Sequence, residues 1–115
     1  MVLSEFEVKR YELAKKKFLA KRRPHPDVRG KCDLDCRLDN QTVEVFEIRP
    51  QWNDPEIMHE HSFAKATYVK SEKVWKIYWM RSNLKWQIYE PNEIVRTIED
   101  VFMAIDCDEN GVFFG

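Results

Sequence analysis

Val8, Tyr11, Ala14 or Lys15, and Phe18 recur at three- and four-residue steps, the period of one face of an α-helix. Ser4 followed by Glu7 has capping-box spacing. The two prolines of "RRPHPDVRG" (22–30) cannot continue the pattern, so an amphipathic helix through about residue 22 is predicted. Cys32, Leu34, Cys36 and Leu38 then alternate with Asp33, Asp35 and Arg37, as on a half-buried strand. Asp39-Asn40 supplies turn chemistry, and "TVEVFEIRP" (42–50) returns as a second strand. Its alternation is mixed. Val43 and Val45 share a parity with Glu47 and Arg49, which aims a carboxylate at an otherwise apolar face.

"QWNDPEIMHEHSF" (51–63) reads as a long connection with one helical turn after Asn53-Asp54-Pro55, and "AKATYVK" (64–70) as a third strand. In "KVWKIYWMRSNLKWQIYEP" (73–91), a turn at Ser82-Asn83 separates Trp75, Ile77 and Trp79 from Leu84, Trp86 and Ile88. Those six are predicted to form the core face of a β-hairpin. Lys76, Tyr78, Lys85, Gln87 and Tyr89 are then left on the opposite, basic and aromatic face. Asn92 after Pro91 reads as a helix N-cap, followed by a stripe of Val95, Ile98, Phe102 and Ile105 with Ile94 and Val101 beside it. The predicted order is α-β-β-β-β-α. It describes one α+β domain over residues 1–115, with a four-stranded, mostly antiparallel sheet and the N- and C-terminal helices on its apolar face.

Composition supports a packed core: 43% of the 115 residues are apolar and 13% aromatic. No apolar run is long enough to cross a bilayer, so no membrane association is expected. The charged start has no signal-peptide hydrophobic region, and an odd number of cysteines, three, reads as free thiols in a reducing cytoplasm. The net charge of −1 conceals a basic first quarter and an acidic end. Mutual packing of these two segments is the expected explanation.

Three stretches, "RPHPDVR" (23–29), "VEVFEIRPQW" (43–52) and "AKATYVKSEKVWKIYWMRSNLKWQIYEP" (64–91), together resemble an uncharacterised bacterial family known as a domain of unknown function, number 3024. The tryptophan-rich hairpin is the most specific part of the resemblance. It implies a small bacterial cytoplasmic protein and brings with it no activity, cofactor or catalytic residue.

Four groups of residues carry candidate chemistry. The first is the outer hairpin face: Lys76, Tyr78, Lys85, Gln87 and Tyr89 combine cations with stacking platforms, the means by which single-stranded nucleic acid is held. Lys9, Arg10, Lys15, Lys16, Lys17, Lys21, Arg22 and Arg23 could add a phosphate-contacting helix. A non-enzymatic binding module is the preferred reading, and association with a protein partner through an exposed sheet edge or the remaining aromatic surface is an alternative. The second is the order helix, Asp33 or Asp35, then Glu47-Ile48-Arg49. It is similar to the outline of metal-dependent nucleases, in which carboxylates hold Mg²⁺. Arg49 stands where such sites carry Lys, and Lys65 is the replacement cation.

The third is "DCDENG" (106–111), which matches the opening positions of a calcium loop but lacks its closing Glu; a capped helix end explains it as well. The fourth is "EIMHEH" (56–61), whose His59 and His61 would diverge on a helix and so make a poor zinc site. Neither a resident metal nor a cofactor is expected.

Overall fold

The computed structural model describes residues 3–114. Helix α1 (Glu5–Arg22) begins at Ser4, whose side chain accepts from the Glu7 backbone N–H. Such a cap stabilises a helix by about 1 kcal/mol. It buries Tyr11, Ala14 and Phe18, the predicted stripe, and ends where Pro24 and Pro26 begin a short 3₁₀ turn, Pro26–Val28. Next come β1 (Asp33–Asp39), β2 (Thr42–Gln51), β3 (Asp54–Val69), β4 (Val74–Met80), β5 (Trp86–Ile88) and β6 (Ile94–Val95), then α2 (Ile98–Cys107). All pairings are antiparallel, in the order β1-β2-β3-β4-β5, and β6 also pairs with β4.

The α+β class and the two flanking helices match the sequence reading; the sheet has six strands rather than four. Two segments account for the difference. Residues 51–63 hold no helical turn: β2 reverses at Trp52-Asn53 straight into β3. A strand that projects beyond the core is polar on both faces and so shows no apolar alternation. The C-terminal helix begins at Ile98 with Thr97 as its cap, accepting from the Asp100 N–H, rather than at Asn92. Ile94 and Val95 instead pair with Lys76 and Trp75 of β4.

One face of the sheet packs on both helices. Leu34 and Cys36 (β1), Val43 and Val45 (β2), Ala64 and Ala66 (β3), and Trp75 and Ile77 (β4) join Tyr11, Phe18, Val101, Phe102 and Ile105 in a single cluster. Full burial of one such Val or Ile stabilises the fold by about 1.5–3 kcal/mol. The thiol of Cys36 lies within the cluster, and burial pushes it up to about 12. A bulge lies where Val45 opposes Ala64 and Phe46 opposes Ser62; the extra residue, Phe63, packs on the same core.

The basic start and acidic end meet across the helix pair. Arg10 binds Glu99 through both carboxylate oxygens at 2.8 and 2.9 Å, and Lys21 and Arg22 both donate to Asp106. These two donors hold the Asp106 carboxyl below the ordinary carboxylate range.

One buried polar group has no partner among the described residues. The Tyr11 hydroxyl is enclosed without a hydrogen bond, and burial raises its ionisation well above the usual phenol range. Leaving a buried hydroxyl unmet costs about 1–3 kcal/mol. Tyr11→Phe is therefore expected to raise stability by about 1 kcal/mol in urea unfolding. A loss of stability would show that the hydroxyl is satisfied.

Candidate nucleic-acid interface

The second face of the sheet is free of both helices, and its residues follow from the register. Directly opposed residues share a face. Arg37, Glu44, Lys65, Tyr78 and Ile88 therefore form one row across β1 to β5. On one side of it lie the pairs Phe46–Ser62 and Met80–Trp86; on the other lie Thr42, Thr67, Lys76 and Ile94.

At the centre the Lys65 ammonium lies 4.8 Å from the centroid of the Trp86 ring and 5.2 Å from that of Tyr78. Contacts of this kind are attractive because the ring face is electronegative. Lys65 has no carboxylate within ion-pair distance among the described residues. Arg37 differs: it stacks 4.4 Å above Phe46 while donating to Glu60 at 2.9 Å. Glu44 is occupied as well, accepting from the Ser62 hydroxyl at 2.7 Å. The face thus presents a free ammonium between two half-buried rings, beside acids that already have partners.

This arrangement reassigns part of the predicted hairpin. Trp86 and Ile88 oppose Met80 and Tyr78 and so lie on the outer face, not in the core. Leu84 is 79% exposed. Of the predicted outer residues, Lys76 and Tyr78 are where expected, and Lys85 is exposed in the β4–β5 loop. Gln87 opposes Trp79 and shares its helix-facing parity. Tyr89 is fully buried; its ring packs 4.8 Å from Phe113 and its hydroxyl accepts from the Glu109 N–H. The loop causes the shift. Five residues, Arg81–Lys85, separate Met80 from its partner Trp86, with Leu84 in the left-handed region at φ 64°. A two-residue turn at Ser82-Asn83 would have given the opposite register.

The basic helix does not extend this face. It packs on the other side of the sheet, and Arg10, Lys15, Lys21, Arg22 and Arg23 are paired with Glu99, Asp35, Asp106 and Asp33. Sequence reasoning missed Trp86, Phe46 and Arg37 as members of the face, and placed Lys65 in a different site. Only the β4–β5 loop length would have revealed Trp86.

The nuclease-like residues are not brought together. Asp33 opposes Ile48 and Asp35 opposes Phe46, whereas Glu47 opposes Leu34 on the other parity. Each acid has its own cation. Asp33 accepts from Nε and one Nη of Arg23, each at 2.9 Å, which keeps its carboxyl below the ordinary range. Asp35 lies 3.3 Å from Lys15, and Glu47 lies 3.0 Å from Arg49. Among the described residues no group of three His, Cys, Asp or Glu is placed to hold a metal ion. His59 and His61 do share a face of β3, with ring centroids 6.4 Å apart, and the nitrogen of His59 is engaged with Gln51.

A family model described as "Domain of unknown function (DUF3024)" matches residues 3–115. The chain belongs to the DUF3024 family. No curated protein and no solved structure matches it. Two of the three stretches that carry the resemblance contribute to the aromatic face of this DUF3024 chain: "VEVFEIRPQW" supplies Glu44 and Phe46, and the long stretch supplies Lys65, Tyr78 and Trp86, while "RPHPDVR" contributes none. No helix among the described residues is long and apolar enough to cross a membrane.

Proposed function

We propose that this protein is a binding module for single-stranded nucleic acid and that the helix-free sheet face is its binding surface. The observation that carries the reading is Lys65 set between the rings of Tyr78 and Trp86 with no carboxylate partner among the described residues. Bases stack on such rings without regard to sequence, at about 1–3 kcal/mol per base, and unpaired ammonium groups take the phosphates. Lys76 and Lys85, neither of them in an ion pair among the described residues, extend the positive strip along β4 and its loop. Two-stranded nucleic acid offers no unstacked bases to such a platform, so single strands are the expected ligand.

The test is fluorescence anisotropy with labelled single-stranded RNA and DNA at low and moderate salt. Affinity should fall as salt rises. Trp86→Ala and Tyr78→Ala should each weaken it by about 5- to 150-fold, and Lys65→Gln should lower the salt slope by about one. Circular dichroism separates these effects from unfolding. Absence of binding at low salt rejects the proposal. A mass that instead rises with protein concentration, and no longer does so in Trp86→Ala, would assign the face to association between proteins.

A further inference from the structure

A cavity of about 330 Å³ opens between the first turn of α1, the β3–β4 turn and the residues just before α2. That volume falls within the range of about 300–1,000 Å³ typical of small-molecule sites. It lies at the other end of β4 from the Lys65 cluster. Its walls combine three aromatic side chains, Phe6, Tyr68 and Trp75, with three cations, Arg10, Lys73 and Arg96.

The charges are not equivalent. Arg10 is neutralised by its two-oxygen contact with Glu99. Glu7 also lines the cavity; the Ser4 hydroxyl that donates to it at 3.3 Å is neutral, so its carboxylate sets one negative charge against the cations. Lys73 and Arg96 have no ion-pair partner among the described residues. The start of α2 adds no attraction of its own, because Thr97 caps it and Glu99 and Asp100 occupy its first turn. Any anion held here is held by the two side-chain cations, which exceed the Glu7 carboxylate by one charge.

The rings are not equivalent either. Trp75 is 4% exposed and belongs to the core, whereas Phe6 is 70% exposed on the rim. A phenylalanine this exposed is free to stack on a flat ligand. Lys73 also has an unusual backbone. It occupies the last position of the β3–β4 turn at φ 56°, and its N–H donates to the Val69 carbonyl. Left-handed geometry costs a residue with a Cβ about 1–2 kcal/mol, which glycine avoids.

From this combination we infer that the cavity binds a small anion carrying a flat ring, of the mononucleotide kind, with Lys73 and Arg96 on the anion and Phe6 on the ring. The site is separate from the sheet face and would operate whether or not that face binds a polymer.

The left-handed position of Lys73 makes the test selective. Adenosine monophosphate, adenosine and inorganic phosphate are titrated separately into the full chain and followed by calorimetry. Adenosine monophosphate should saturate the protein, and each of the other two should bind at least about tenfold more weakly, since each lacks one contact. Lys73→Gly should melt at the same or a higher temperature yet bind adenosine monophosphate about tenfold more weakly. Arg96→Gln and Phe6→Ala should weaken it in the same direction, while Trp86→Ala on the sheet face should leave it unchanged. No saturable binding at millimolar nucleotide, phosphate binding as tightly as the nucleotide, or equal affinity in Lys73→Gly would each overturn the assignment.

Discussion

Trp75→Ala is expected to destabilise the protein by about 3–5 kcal/mol, and Trp86→Ala by about 2 kcal/mol. Trp75 is 4% exposed. It lies against Tyr68 with ring centroids 5.2 Å apart and opposes Val95 of β6. Removing it opens a void among the sheet, the α1 side chains and β6, none of which can collapse far without breaking strand pairing. Trp86 has the same chemistry in a different place. It is half-buried on the helix-free face, where truncation forfeits partial burial and a cation–π contact of about 0.5–1 kcal/mol and leaves no closed cavity. Urea unfolding of the two variants side by side is the measurement. Equal losses would mean that β5 presents its other face to the helices.

Asp108→Ala is expected to cost about 2–4 kcal/mol, a large effect for a residue beyond the last helix. Asp108 closes α2 in the left-handed region at φ 46°. Its two carboxylate oxygens accept from the N–H groups of Phe113 and Phe114 at 3.0 and 2.8 Å. Hydrogen bonds to a charged group contribute about 1.5–3 kcal/mol each when buried, and partial exposure discounts that. The two bonds fold the chain's last described residues back onto the core. There Phe113 meets Tyr89, and Phe114 meets Phe18, Phe63 and the Arg22 guanidinium. Asp108→Asn keeps one acceptor and tolerates the left-handed backbone, so about half the loss is expected. Thermal unfolding of the pair decides it: a loss under about 0.5 kcal/mol for the alanine variant would show that the segment holds without the carboxylate. The same bonds account for the calcium-loop pattern at 106–111, because the middle aspartate already spends both oxygens on backbone donors.

Much of the architecture was legible in local signals. The Ser4 cap, the Tyr11–Ala14–Phe18 stripe and the strict alternation of Cys32 to Leu38 each describe an element that packs one face on a core. What failed was information stored between elements. Trp86 and Ile88 alternate as core residues should, but a sheet with aromatic groups on both faces gives no preference for either parity, and the five-residue loop then decides. Asn92 and Thr97 are both acceptable caps, and the competition was settled by β4, whose edge offered Ile94 and Val95 partners. The candidate site suffered accordingly: Tyr78 and Lys76 were legible from β4 alone, whereas the place of Lys65 between two rings depends on three strands in register.

The outer half of β3 has a further consequence. Over Asp54–Ser62 its only strand partner is β2, through Asp54 and Met58–Ser62, since β4 joins only at Ala64, so a row of backbone donors and acceptors faces solvent beside Trp52, itself 93% exposed. An open edge of that length is a template for runaway strand addition between molecules. Pro55 removes one donor, and Glu56, in no ion pair among the described residues, places a like charge where an incoming copy would align. Colloidal stability in this protein therefore rests on a few side chains that take no part in its core, and replacing them with neutral, donor-bearing residues would erode it while leaving the core packing untouched.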